Sequence, residues 1–290
     1  MSRLASRVLR VALAASCMAC TSGKQSPPTA FGWTLVWSDE FNGKAGSPLD
    51  TTAWTHDIGD GCAAGICGWG NQEKESYTNS AENIALNGEG QLAIVARRAP
   101  AGLTCYYGPC RYTSAKIKTQ GKVTAKPGRV EARIKLPQGQ GLWPAFWMLG
   151  ARFPATKWPD CGELDIMENH GHAPNQTSSA IHGPGYFGKT PFVHGEELAK
   201  GTFSEDFHVF AVQWDSTRIQ FFVDSALRYT VSRAEVTHYG AWVFDQPFFV
   251  VLNLAVGGTF DGDPSSDVIF PATMLVDYVR VYTATARAVP

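Results

Sequence analysis

The chain has few charged residues, and it has neither a basic stripe nor an acidic tail. Lys, Arg, Asp and Glu together make up 18% of the 290 residues, and the formal net charge is −1. A protein that binds nucleic acid usually presents a concentrated basic surface to the phosphates. The composition therefore argues against nucleic acid as a partner, and a neutral polymer suits it better.

The sequence also lacks an apolar run long enough to cross a bilayer, which takes about 20 residues. Three arginines in the first ten residues are followed by the short apolar run 11–15 and then by small residues and two cysteines. This order is typical of a secretory signal, so we predict that residues 1–20 are a signal peptide. Cys20, or less favourably Cys17, is a candidate for a lipidated first residue of the mature chain, and a plain cleaved signal fits as well.

Export sets the expected organisation of the rest of the chain. Residues 21–30 have the composition of a flexible linker, and the catalytic domain is predicted to span residues 31–286. The protein is then secreted or extracellular, or it is lipid-anchored at a bacterial cell surface or in the periplasm.

Cysteines are scarce, but their spacing is informative. Cys62 and Cys67 are separated by the same interval as Cys105 and Cys110. In an oxidising compartment two small disulfide-closed loops are the natural interpretation, although four cysteines allow three connectivities. Cys161 is left over. No base lies beside it in the sequence, so a buried structural thiol is a better interpretation than a nucleophile.

Long stretches with a helical period are missing, and we find no internal repeat. Period-2 alternation is instead clear in residues 130–136 and 218–223. Many antiparallel strands with little helix indicate an all-β fold of two packed sheets or a barrel, and the length favours a large sandwich. The predicted strands are 33–37, 92–97, 114–119, 129–136, 145–149, 207–214, 218–223, 248–253 and 275–282, with a short helix around 232–238.

The stretch best suited to chemistry is 158–172, which holds Glu163, Asp165 and Glu168 among apolar residues. On an extended strand, side chains alternate between faces, so Glu163 and Asp165 share one face and Glu168 falls on the other. Burying an unpaired carboxylate is costly. One extra residue at 166–167 returns Glu168 to the acidic face, so we predict a β-bulge there. The resulting spacing is compatible with a retaining glycosidase but does not establish one.

Together with other motifs, this stretch resembles glycoside hydrolase family 16, specifically its laminarinase-like endo-β-1,3-glucanases with a bulged E-x-D-x-x-E signature. The resemblance covers nearly the whole mature chain. It implies a jelly-roll sandwich of two curved antiparallel sheets, with the substrate cleft on the concave face. Besides 162–168, the matching blocks are 37–41, 69–73, 112–117, 141–149, 182–186, 207–214, 252–258 and 274–282.

The resemblance also implies an activity, namely retaining, endo-acting hydrolysis of β-1,3-glucosidic bonds in laminarin-type or mixed-linkage β-glucan. By matching positions, Glu163 is the expected nucleophile, Glu168 the acid/base and Asp165 the assisting residue between them. Repulsion among three nearby carboxylates is expected to raise at least one pKa, and a protonated Glu168 is what general acid catalysis requires. Catalysis needs no cofactor, and we expect a monomer.

Five further residues are expected to bind substrate. If their segment is extended, Trp143 and Trp147 share a face and can stack on glucosyl rings, although a core position is an alternative for Trp147. By the resemblance, Asn71 and Glu73 border the cleft and His182 lies on a neighbouring strand, where they can bond sugar hydroxyls. A structural role suits Glu73 almost as well.

The resemblance further implies a structural Ca²⁺ on the convex face, held by Glu40, the carbonyl of Gly90 and Asp277. Oxygen-only ligands suit this ion, which would stabilise the fold and take no part in the reaction.

Two other classes of function are open at this stage. The same sandwich can be a non-catalytic β-glucan-binding lectin. A metal-dependent hydrolase is a weaker alternative, in which Glu168, His170, His172 and His182 would form a zinc cluster, but no familiar zinc-ligand spacing is present. Within the hydrolases, licheninase or agarase-like specificity are the alternatives.

Overall fold

The computed structural model of the chain describes residues 32–188 and 192–285. The predicted signal peptide, lipid-anchor cysteines and linker lie outside the described residues, as do the terminal residues 31 and 286 of the predicted domain. No helix in the described part of the chain is long and apolar enough to span a membrane.

Strands account for most of the regular structure, and the nine strands whose bounds were predicted are found to within about three residues of those bounds; the other strands had no predicted bounds. In chain order they are β1 Trp33–Asp39, β2 Thr55–Asp57, β3 Glu75–Tyr77, β4 Ile84–Leu86, β5 Leu92–Arg98, β6 Thr104–Cys105, β7 Gly108–Pro109, β8 Tyr112–Ser114, β9 Lys116–Lys118, β10 Arg129–Lys135, β11 Leu142–Gly150, β12 Glu163–Glu168, β13 Gln176–His182, β14 Val193–Glu197, β15 His208–Trp214, β16 Arg218–Val223, β17 Ala226–Ser232, β18 Phe248–Val256 and β19 Ala272–Ala284.

Two large sheets organise these strands. One has the order β17-β16-β15-β10-β19-β5-β8-β3, with β1 also paired to β19 and β4 to β5. The other has the order β14-β13-β12-β11-β18-β9-β2, while β6 and β7 form a small hairpin. The pairings are antiparallel except for β3 with β8. The predicted all-β sandwich is thus confirmed.

A large apolar core joins the two sheets. Ile134 and Val212 from the first sheet and Leu164 and Leu252 from the second are fully buried in the same cluster. β18 is buried along its whole length because it lies between β11 and β9 near the centre of its sheet. The core therefore holds one face of β12 and leaves the other face for chemistry.

Helical structure is limited to one α-helical turn and two short 3₁₀ segments in the described residues. The α-helix α1, Arg233–Val236, is shorter than the predicted 232–238. Ser232 accepts a hydrogen bond from the backbone of Glu235, whose side chain bonds back to the Ser232 N–H. This capping box explains where the helix begins.

Both expected disulfides are present. They join Cys62 to Cys67 and Cys105 to Cys110. The two loops also meet, because the Asp60 carboxylate accepts the backbone N–H groups of Cys62 and Tyr106. The disulfide loops therefore form one continuous piece of surface.

The early start of β11 affects the site. β11 starts at Leu142 instead of Ala145, because its pairing with β18 continues to Val256. Trp143, which precedes the predicted strand 145–149, is consequently held on β11.

Candidate active site

β12 contains the predicted bulge. Across from β11, Phe146 lies opposite Met167 and Trp147 lies opposite Asp165, so Ile166 has no partner of its own. The register between β12 and β13 shifts at the same place. The bulge is therefore confirmed at the predicted dipeptide.

The bulge sorts the side chains of β12 onto two faces. Leu164 and Met167 are fully buried in the core. Glu163, Asp165 and Glu168 lie together on the other face, where Glu168 and Asp165 act electrostatically on each other and on Glu163. The bulge thus brings the three predicted carboxylates into one group.

His182 completes this group. It lies opposite Glu163 in the pairing of β12 with β13. Its Nε2 is 3.1 Å from Oδ2 of Asp165 and 3.8 Å from Oε1 of Glu163. A positive charge on this ring lowers the pKa of both glutamates. His182 thus lies on the strand next to β12, as expected, and its contact with the carboxylates is an additional finding.

Burial is the largest cause of the raised pKa values of the three carboxyl groups. It raises the pKa of Glu168 and of Asp165 to about 8. It also raises the pKa of Glu163 well above its usual value, and the Asp165 charge adds to the effect. Three negative charges are unfavourable in so little solvent, so the group retains protons at neutral pH.

Trp143 contacts the third carboxylate directly. Its indole Nε1–H donates a hydrogen bond to Oε1 of Glu168 at 3.0 Å. Its ring stacks on Phe260 with centroids 4.3 Å apart, and Phe260 stacks in turn on His170 at 3.8 Å. A stack of three rings therefore begins at Glu168.

Trp147 belongs to a different network. Its Nε1–H donates to Asn253, whose side-chain amide donates to the Tyr77 hydroxyl. The hydroxyl donates to Glu73, which also accepts the side-chain N–H of Asn71. Glu73 is only 5% exposed, so the structure gives it a supporting position instead of an open place at the cleft surface.

Residues 71–280 match the sequence profile of Glycosyl hydrolases family 16. This chain belongs to that family. It is 41% identical to a β-glucanase of Rhodothermus marinus, with 86% of this chain and 85% of the relative covered. Many solved structures are similar along most of their length, and two of them serve as examples.

The first of these is the laminarinase catalytic domain of Thermotoga maritima, at 43% identity and a TM-score of 0.82, covering 87% of this chain and 99% of that one. The second is the endo-β-1,3-glucanase of Pyrococcus furiosus, at 46% identity and a TM-score of 0.81, covering 87% and 95%. The predicted jelly-roll fold of family 16 is thereby confirmed.

Three residues near the family 16 carboxylates had no role in the sequence interpretation. Phe260 lies in a loop and becomes relevant only through its ring contacts. Lys116 places Nζ 4.6 Å from the Trp69 ring centre and 5.0 Å from that of Trp147, and its charge lowers the pKa of Glu163. Trp158, 43% exposed, lies beside His182. The aromatic character of Trp158 and its position in the acidic stretch were the available signals.

The alternative zinc cluster does not form. Its three histidines divide between two places in the described residues, since His182 joins Glu163 and Asp165 while His170 and His172 join Asp261. This division removes the arrangement on which the metal-hydrolase alternative depended.

Cys161 is a buried free thiol, as expected. Burial and the neighbouring charge of Glu163 raise its pKa to about 11. A thiol with so high a pKa is almost fully protonated at neutral pH and is a poor nucleophile.

The three predicted calcium ligands lie near one stretch of the larger sheet. Glu40 directly follows β1, Gly90 lies just before β5, and Asp277 lies in β19, which pairs with both strands. Both carboxylates have arginine partners: Arg280 binds both oxygens of Glu40 at 2.9 Å, and Arg133 binds Asp277 at 3.0 Å. A carboxylate has about four acceptor positions, so these ion pairs do not by themselves prevent a cation from binding.

Proposed function

We propose that this chain is a retaining endo-β-1,3-glucanase that cleaves laminarin-type or mixed-linkage β-glucan. The single observation that carries the proposal is the bulge in β12, which groups Glu168 with Glu163 and Asp165. The names of the similar proteins, a laminarinase and an endo-β-1,3-glucanase, support the choice of substrate.

In the proposed first step, Glu163 attacks the anomeric carbon and forms a glycosyl ester. Glu168 gives its proton to the departing glycosidic oxygen. In the second step, Glu168 accepts a proton from water, which attacks the anomeric carbon and releases Glu163. The anomeric configuration is inverted twice and hence retained.

The protonation states support this division of roles. Glu168, with a pKa of about 8, holds a proton at neutral pH and can act as the acid. Glu163 must be ionised to attack, and the positive charge of Lys116 favours that form. Asp165 shares a hydrogen bond with Glu163, and the reaction requires its proton to lie on Asp165.

Aromatic surfaces beside the carboxylates support a sugar-binding role. Trp143 is half-buried and lies next to the proposed proton donor, while Trp158 exposes an indole beside His182. Asn71 is also half-buried and faces Glu73. In the proposal Trp143, Trp147, Asn71 and His182 bind substrate, and Glu73 orients Asn71.

The proposal also includes export, the 31–286 catalytic domain, and Cys20 as the residue that would carry a lipid anchor. We also propose that Glu40, Gly90 and Asp277 bind a structural Ca²⁺ ion. The ion would stabilise the folded state by binding to it, and it has no part in the steps above.

Product analysis on laminarin, lichenan and agarose tests the proposal, with Glu163→Gln as the control variant. Laminarin should yield oligosaccharides, and proton NMR should detect the β-anomer first. If the wild-type protein bound laminarin without releasing reducing ends, and the Glu163→Gln variant bound laminarin equally well, the protein would be a lectin. Faster cleavage of lichenan or agarose would instead favour the alternative specificities.

A further inference from the structure

Two loops meet beside the stack of aromatic rings and bring together three side chains that the proposed reaction does not use. His170 and His172 follow β12, and Asp261 follows β18. One imidazole nitrogen from each histidine and one carboxylate oxygen lie within 4.8 Å of one another. The fold thus places two imidazoles and a carboxylate at one point.

The carboxylate of Asp261 is held in a fixed orientation. Its side chain is fully buried. Oδ2 accepts the backbone N–H of Gly141 at 2.6 Å and that of His172 at 3.3 Å. Oδ1 faces the imidazoles: it contacts Nδ1 of His172 and lies 3.5 Å from Nδ1 of His170. Partners that fix one oxygen and leave the other directed at a common point are typical of metal ligands.

His170 is oriented as well. Its ring lies parallel to Phe260, with an interplanar angle of 3°. Its Nδ1 is shielded from solvent and, apart from Oδ1 of Asp261 at 3.5 Å, has no hydrogen-bonding partner in the part of the chain that the structure describes. The His172 side chain is 57% exposed, so an ion can reach the three donors from solvent.

We propose that His170, His172 and Asp261 bind one divalent transition-metal ion of the Zn²⁺, Ni²⁺ or Cu²⁺ class. The ligands are the two Nδ1 atoms and Oδ1. Imidazole nitrogens suit these metals, while Ca²⁺ prefers oxygen. In a tetrahedral zinc site, bonds of about 2.0 to 2.1 Å place ligand atoms about 3.3 Å apart. The distance between His170 Nδ1 and Asp261 Oδ1, 3.5 Å, is close to that value.

Binding replaces the hydrogen bond between His172 and Asp261 with two metal bonds. Three protein ligands leave the remaining position to water on the exposed side. The ion connects the loop after β12 to the loop after β18, so its binding stabilises the folded protein. The inference does not depend on the proposed glucanase activity.

Isothermal titration of the untagged protein with Zn²⁺, in excess Ca²⁺, tests the site. We expect one equivalent to bind and the melting temperature to rise. His172→Ala and Asp261→Asn should each weaken binding roughly 10-fold or more, the lower limit reported for losing even an outer-sphere partner. His182→Gln is the matched control, since His182 belongs to the other cluster of potential ligands, and it should bind Zn²⁺ like the wild type.

Cu²⁺ electron paramagnetic resonance gives a second measurement that does not require the variants to fold. The wild-type spectrum should show coupling to two imidazole nitrogens. Absence of Zn²⁺ binding, unchanged affinity in folded His172→Ala, loss of binding in His182→Gln, or coupling to fewer than two nitrogens would each overturn the inference.

Discussion

The indole N–H of Trp143 donates a hydrogen bond to Oε1 of Glu168, at 3.0 Å. A donor favours the charged form of a carboxylate, so this bond lowers the pKa of Glu168 while burial raises it to about 8. Trp143 therefore limits how strongly the proposed acid holds its proton.

Replacing Trp143 with Phe should raise the pKa of Glu168. The acid then keeps its proton to higher pH, and the alkaline limb of the kcat/KM profile moves upward. Trp147→Phe is the matched control, because that indole donates to Asn253 instead. The measurement is the pH profile of kcat/KM on laminarin for both variants. An equal shift of the alkaline limb in Trp143→Phe and Trp147→Phe would contradict a specific effect of Trp143 on the Glu168 pKa.

The roles of the two glutamates can be separated with leaving groups. Glu168→Gln should slow laminarin hydrolysis by roughly 10² to 10⁴-fold, the usual contribution of general acid–base catalysis. With a dinitrophenyl glycoside, whose leaving group needs no proton, glycosyl-enzyme formation by this variant should stay near the wild-type rate. Glu163→Gln should be inactive on both substrates. Burst kinetics measure this step, and similar losses on the two substrates in Glu168→Gln would refute its role.

Glu168 should also make stability depend on pH. Its pKa is about 8 in the folded protein, against an ordinary value of 4.5. Between these values the folded state binds more protons than the unfolded state, so the free energy of unfolding falls as pH rises. The contribution of protonated Glu168 to the free energy of unfolding is complete below pH 4.5 and is lost as pH rises through 8.

Glu168→Gln removes this dependence. The free energy of unfolding of the variant minus that of the wild type should therefore be larger at pH 8 than at pH 4.5. Urea unfolding at the two pH values measures this difference. If the difference in unfolding free energy between variant and wild type is the same at both pH values, burial does not raise the pKa of Glu168.

Tyr77 links the two halves of the buried network through its hydroxyl. Tyr77→Phe leaves an oxygen of Glu73 without its donor and the amide of Asn253 without its acceptor. Unsatisfied buried groups cost about 1 to 3 kcal/mol each, so denaturant unfolding should show a loss of this order. Tyr239→Phe, at a side chain that is 55% exposed, should change stability little.

Removal of Ca²⁺ with a selective chelator should lower the melting temperature and leave kcat/KM unchanged in the folded protein. Calcium bound only by the native state stabilises it by mass action. Asp277→Asn should reduce the Ca²⁺-dependent part of the shift. A melting temperature that does not respond to Ca²⁺ would exclude the site.

Several elements followed from local pattern alone. Alternation located β10 and β16 to within a residue, because each buries every residue of one face and leaves most residues of the other face at least partly accessible. The cost of burying Glu168 predicted the bulge before any pairing was known. The equal spacing of the cysteines predicted two small loops.

Other features depended on contacts between distant segments. Glu73 proved to be buried because Tyr77 and Asn71 satisfy its oxygens. Trp143 lies on a strand because β18 continues to pair with β11 as far as Val256. Neither contact can be predicted from the neighbouring residues in the sequence.

The sequence by itself determined the all-β class and the acidic strand with its bulge, since both arise from alternation and burial within a few consecutive residues. Only the tertiary structure brought His182 to Asp165, placed Phe260 between Trp143 and His170, and joined His170 and His172 to Asp261. These contacts join residues of different strands and loops, so they depend on how the sheets pair and where the loops close.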